Sequence, residues 1–433
     1  MEDTRLISSR AGDWLLGRVV RGRTVVRTRL GRQRLVYLLG PEANALVLAH
    51  DEWFRVREAF AALEVVDGPT SVVLSDGPEH ARRRGLIRPS LAPRRIDGYV
   101  ASMVTSADEA LESVAAGESV DAYALMRGAI RRSTLRALFG TGMGERAEEI
   151  GDALQPLLDM ADHLPQTIEW LRRLRAPSWR RALTARAAVD ELVLAEIARE
   201  RAGRAGEESD GGPVLPMLVH GRDGTGSGLT DQEIRDQAVT MIAAGYETTS
   251  AAMGWLVYLL GTHRGWQERA RAEVAEVLGG RPPSPEDLPR LPLLRAIVDE
   301  TLRLYPPAMI SARYVVTGFE HDGHEVRPGD LVVFSPYVTH RDPSLHASAE
   351  RFRPDRWLEG GRPPPEEYLP FGGGQHRCIG SHLATTELVV MTARLLARGR
   401  FELDRPPSRT RGFAAMRPHP GVWVTLRPEP GGR

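Results

Sequence analysis

The alternation of apolar and polar positions divides the chain into recognisable segments. Residues 34–39 read as a short strand, and a helix begins near Pro41. Residues 96 to about 204 read as successive amphipathic helices with few breakers. Residues 205–228, rich in Gly, Asp and Glu, read as a surface linker with one short apolar turn at 214–219. Thr230 and Asp231 then supply a helix start, with Glu233 in the first turn. The pattern continues without proline to about residue 263, a rod of roughly 50 Å. Its middle and second half are apolar on nearly every face, which marks a helix through the interior. A further helix spans about 291–305 and stops at Pro306-Pro307. Strand-like pieces follow at 313–317 and 330–335, then a loop rich in proline and arginine over 341–370, and a last helix over about 381–397. No internal repeat is visible. A length of 433 residues alone suggests two or three domains. The segments interlock, however, so the expected architecture is one domain over 1–433, mainly α with small β-sheets around a long central helix.

Composition narrows the chemistry. All 57 basic residues are arginine, matched by 57 acids, and asparagine occurs once, a pattern of coding bias. Without lysine there is no Schiff-base enzyme, pyridoxal anchor or Walker-type phosphate lysine. With Cys378 as the only cysteine there is no internal disulfide, CxxC pair or multi-cysteine metal site. Zero net charge argues against a dedicated nucleic-acid binder. The arginine-rich first 33 residues lack a signal-peptide core, and the longest apolar stretch, 251–260, is about half a bilayer span. A cytoplasmic protein without a membrane anchor is expected.

Three motifs carry chemistry. A lone thiol is as a rule an apolar filler. Cys378 instead lies in Phe371-Gly-Gly-Gly-Gln-His-Arg-Cys-Ile-Gly380, whose glycines allow a tight turn that a bulky ligand can approach. Gly380 leaves room for N–H groups to point at the sulfur, and the helix opening at Ser381 turns its positive end toward a thiolate. The second motif is Glu300-Thr-Leu-Arg303, three apart on one face of an apolar helix, hence a buried pair. The third is Ala244-Gly-Tyr-Glu-Thr-Thr249 in the long helix, where a glycine and an acid are both costly. A local widening of that helix, with the Thr248 hydroxyl bent toward the opened groove, accounts for them.

Phe-x-x-Gly-x-His-x-Cys-x-Gly resembles the haem-ligand loop of the cytochrome P-450 superfamily, and the likeness extends from His80 to the chain end. It implies haem b with Cys378 as axial thiolate, flanked by Phe371, and Gly245 against the cofactor. It implies Glu247 and Thr248 as the acid–alcohol pair that delivers protons during oxygen activation. His80, Arg84, Arg313 and His376 match propionate anchors. Glu300 and Arg303 match a structural network whose implied third partner is Arg351. Arg82 and Arg83 are expected on a solvated face that docks an acidic redox partner. Implied substrate walls are Phe60, Leu63, Val66, Met241, Ala244, Ala308, Met309, Ile310 and Met416, each of which also reads as ordinary core. The implied activity is insertion of one oxygen atom from O2 into a hydrophobic terpenoid, steroid, fatty acid or polyketide-like molecule. The chain as it stands carries no reductase segment, so electrons are expected from a ferredoxin and an NAD(P)H-dependent ferredoxin reductase, with the enzyme a monomer. A peroxide-dependent peroxygenase and a non-catalytic recruitment module on the same fold are the alternatives; the Glu247-Thr248 pair and the propionate anchors argue against them.

Overall fold

The computed structural model describes residue 7 and residues 9–163, 165–203, 212–412 and 414–427. The first part of the linker expected at 205–228 lies outside them, and its apolar turn is a helix, Val214–His220.

The central helix runs unbroken over Asp231–Thr262, without the expected widening. Its start is a capping box. The Glu233 N–H donates to the Thr230 hydroxyl at 3.2 Å, and the Thr230 N–H donates to the Glu233 carboxylate at 3.0 Å. Glu233 also receives Arg82 and, at 3.1 Å, Nε of Arg83. Those two arginines therefore do not form a free docking face. Arg83 is buried, and the pair ties the helix Gly77–Ile87 to the foot of the central helix. The central helix packs against Ala122–Phe139, Pro177–Ala202, Pro292–Leu304 and Ser381–Ala397. Surrounded on these sides, it needs apolar residues all round.

Beside the helices lies a five-stranded sheet in the order Val25–Leu30, Gln33–Leu38, Leu331–Phe334, Ser311–Val315, Phe54–Arg55. The second and third strands are parallel, with Val36 opposite Val332. The sheet buries its own cluster, including Val36, Leu38, Phe54, Val315 and Phe334. It also fixes Arg313, which stands opposite Val332.

Candidate functional site

The cysteine loop is closed by the Cys378 N–H, which donates to the Phe371 carbonyl at 2.9 Å. Gly372 and Gly374 both adopt φ of 63°, which other residues take only under strain. Two of the glycines bring the loop close onto Leu48, while Gly372 and Gly380 have open space at the Cβ position. A Cβ on Gly373 would lie 2.6 Å from Leu48 Cδ1, and one on Gly374 2.9 Å from the Leu48 carbonyl oxygen. Cys378 itself is accessible. The surrounding protein desolvates the thiol and pushes its pKa up, while the Gly380 N–H, Arg84 and Arg377 pull it down.

Four basic side chains converge beside this loop. The rings of His80 and His376 lie 4.1 Å apart between centroids, tilted by 33°. Burial lowers the His376 pKa to about 3, helped by His80, Arg313 and Arg84. Arg313 is 7% exposed, and among the described residues its guanidinium donates only to the Ser311 hydroxyl and the Ala312 carbonyl. Desolvation brings it down to about 10, against the pull of Asp51 and Asp76. Arg84 donates to the Arg377 carbonyl at 2.7 Å. The nearest acid contact is Asp51 to His376, at 3.4 Å. Two arginines with so little countercharge, flanked by two histidines held neutral, suit an anionic partner, and two carboxylates beside a thiolate donor would supply it. These residues fit a haem with its propionates.

Glu300 and Arg303 are both fully buried and bound bidentately at 2.8 and 2.9 Å. Arg303 donates further to the carbonyls of His340, Ala349 and Arg351. The expected third side chain is thus misplaced. Arg351 offers only its carbonyl, and the guanidinium on Glu300 is that of Arg356, at 3.1 Å. Trp357 Nε1 and the Arg353 N–H complete the shell of Glu300 at 2.9 and 2.8 Å. Burial pushes the Glu300 pKa up, but Arg303, Arg356 and the Arg353 N–H outweigh it and hold it below the usual range. His340, kept neutral by burial, faces the Arg303 carbonyl with Nδ1 and takes the Leu369 N–H on Nε2 at 2.9 Å. Leu369 precedes the cysteine loop by two residues, so the network holds that loop.

On the central helix Ala244 and Thr248, four apart, open onto a cavity of about 940 Å³. The Thr248 hydroxyl donates to the Ala244 carbonyl at 2.7 Å. Glu247, one residue back, turns to Arg127 of the helix Ala122–Phe139, with Arg127 Nε at 2.9 Å. Arg127 also holds Gln155 and lies over the Tyr246 ring. Gly245 lies on the same helix, packed closely against Thr134. A Cβ there would meet Thr134 Cγ2 at 3.2 Å, so this glycine serves helix packing.

Of the expected walls, Leu63, Val66 and Ala244 line this cavity. Phe60, Met241 and Ile310 are half-buried and Ala308 is exposed, none of them on its wall. Met309 and Met416 are core. The Met309 sulfur accepts from the Ser9 hydroxyl. The Met416 carbonyl takes Trp255 Nε1 at 2.8 Å, and its neighbours Ala414, Ala415 and Arg417 form the wall instead. Sequence reasoning missed Arg127, His340 and Arg356, whose partners lie far away along the chain, and Asp67 on the cavity wall. Only Arg356 left a signal, five residues beyond Arg351 in the same arginine-rich loop.

A family model described as "Cytochrome P450" matches residues 21–425. The chain is 42% identical over 412 residues to the "Putative cytochrome P450 139" of Mycobacterium tuberculosis (strain ATCC 25618 / H37Rv), covering 93% of this chain and 94% of that protein. It is 34% identical to the "Cyclooctat-9-en-7-ol 5-monooxygenase" of Streptomyces melanosporofaciens, covering 87% of this chain and 82% of that one. The solved structure "Retinoic acid bound cyanobacterial CYP120A1" matches with a TM-score of 0.88 over 97% of this chain and 95% of that one. At 23% identity it is a likeness of fold alone.

Proposed function

Because this chain belongs to the cytochrome P450 family, we propose that it is a haem-thiolate monooxygenase that oxidises a hydrophobic, terpenoid-like small molecule. The observation that carries this reading is the cluster of the buried His80 and Arg313 with the half-buried Arg84 and His376 beside the accessible Cys378. Haem b, when bound, supplies thiolate-supported dioxygen cleavage. Cys378, steadied by the Gly380 N–H, would hold its iron, and the four basic groups would take its propionates. The whole chain would act as one haem domain.

Thr248 commits its proton to the Ala244 carbonyl, which leaves its oxygen lone pairs free to hold a water or hydroxyl proton at the cavity. Glu247 is the nearest acid along the helix. Its carboxylate is engaged by Arg127, so passing a proton toward Thr248 requires that ion pair to loosen. Gln155 and Asp159 extend the polar chain from Arg127 outward. Electrons would come from a ferredoxin and an NAD(P)H-dependent reductase. A relative named for oxidising cyclooctat-9-en-7-ol supports the terpenoid class among those expected, as do the apolar wall residues Leu63, Val66, Ala243 and Ala244.

The test is turnover with a surrogate ferredoxin, its reductase and NAD(P)H, scoring product against hydrogen peroxide. Thr248→Ala is expected to divert reducing equivalents to peroxide at unchanged haem content. Equal product per NAD(P)H in parent and variant contradicts the role of Thr248.

A further inference from the structure

One buried acid in the cavity wall has no partner. Asp67 ends the short helix Glu64–Asp67 and is 6% exposed, and it lines the same cavity as Thr248. Among the described residues its carboxylate makes no hydrogen bond and no ion pair; only its backbone carbonyl is engaged, by Arg235 at 3.5 Å. The charged groups around it are Arg235 and Asp236 of the central helix and Arg186 of the helix Pro177–Ala202. Arg235 is already committed to Asp190 and, at 2.9 Å, to Asp236. Arg186 lies 3.7 Å from Asp190 and donates to the Glu64 carbonyl. Two other acids of the wall are paired with arginines, Glu247 with Arg127 and Asp162 with Arg417. Burial, with Asp236, accordingly raises the Asp67 pKa to about 7 against the pull of Arg235 and Arg186.

The backbone that carries Asp67 is held rigidly. Gly68, at φ 85°, passes so close to Asp236 that a Cβ would collide with its carboxylate. The Thr70 N–H and hydroxyl donate to Asp236 at 2.9 and 2.6 Å. Gln237 receives the Val72 N–H at 2.8 Å and donates to the Thr70 carbonyl at 2.7 Å. These four hydrogen bonds fix the segment that follows Asp67, whose carboxyl group bonds to nothing among the described residues. A carboxyl group on a preorganised cavity wall with no protein partner is free to accept from a ligand in that cavity.

We propose that Asp67 is the polar anchor of the substrate site and accepts a hydrogen bond from a hydroxyl group of an otherwise apolar substrate, fixing the molecule relative to Thr248. The inference rests on the monooxygenase reading for the identity of the cavity as a substrate site, and it names the substrate class as a hydrophobic alcohol. Leu63, Val66, Ala243 and Ala244 meet the hydrocarbon skeleton, and Asp67 meets the hydroxyl.

Calorimetric titration of the holoenzyme with cyclic terpene alcohols and their O-methyl ethers, across several ring sizes, tests it. The ether keeps the skeleton and loses the donor. In the parent at least one alcohol is expected to bind about tenfold tighter than its ether, the factor set by one hydrogen bond to a buried carboxyl. Asp67→Leu is expected to bring that ratio to about one, and Asp67→Asn, which keeps a carbonyl acceptor, to retain part of it. Absence of any pair in which the alcohol wins, or survival of the ratio in Asp67→Leu, overturns the proposal. The carbon monoxide difference spectrum of each variant separates this failure from failure of the haem-thiolate reading, because the spectrum does not depend on Asp67.

Discussion

Two acids, Glu300 and Asp67, are both deeply buried and differ in almost everything else. Glu300 receives Arg303, Arg356, Trp357 and the Arg353 N–H, and its pKa is lowered. Asp67 receives none of these, and its pKa is raised. Equal burial therefore does not mean equal purpose. A saturated shell builds a frame, here the one that holds the cysteine loop through His340 and Leu369. An unsaturated group on a rigid wall is left for a ligand.

The largest effect tests the saturated side. Arg303→Ala leaves Glu300 without its bidentate partner, and a loss of about 3–5 kcal/mol in denaturant unfolding is expected, with reduced haem content. A loss below about 1 kcal/mol would remove the contrast.

Asp67→Asn is expected to act in the opposite direction. Between the ordinary carboxylate value of 3.8 and about 7, the native state binds a proton that the unfolded chain has released. The parent therefore loses stability as pH rises through that window and holds level above it. Removing the ionisable group is expected to stabilise the protein at pH 8 by on the order of 1–3 kcal/mol, with little change at pH 4. Melting temperatures at the two pH values check the sign, and a variant that melts lower at pH 8 contradicts it.

Trp357→Phe removes one donor of several from Glu300 and keeps the ring, so about 1–2 kcal/mol is expected to be lost. The smallest effect is that of the Arg127–Glu247 pair, which stands between the two extremes, paired yet on the cavity wall. A double-mutant cycle on Arg127→Ala and Glu247→Ala is expected to give a coupling of about 1 kcal/mol in stability. Arg127→Ala alone is expected to change the pH profile of coupled turnover, because it frees Glu247; an unchanged profile separates the ion pair from proton delivery.

Much of the frame is legible in the sequence, because it is local. The capping box at Thr230 and Glu233, the stop at Pro306, the glycine turn and the Glu300–Arg303 spacing all lie within a few residues. Arg356 was not, since nothing periodic in 341–370 says which arginine turns inward. Arg82 and Arg83 read as a solvated charge run until Glu233 comes beside them from another helix. Met309 and Met416 show the same limit for apolar residues: wall and core share a composition, and the fold alone separates them. Asp67 is the extreme case. Its isolation depends on Arg235 being claimed by Asp190 and Asp236, which involves two helices distant along the chain.

Every proposed role at this site depends on Cys378 acting as a thiolate ligand to haem iron. The carbon monoxide difference spectrum of the reduced protein tests it directly, in the parent and in Cys378→Ala. The account predicts the red-shifted thiolate band in the parent and its loss in the variant. A parent without that band, or a variant that keeps it, would contradict the assignment.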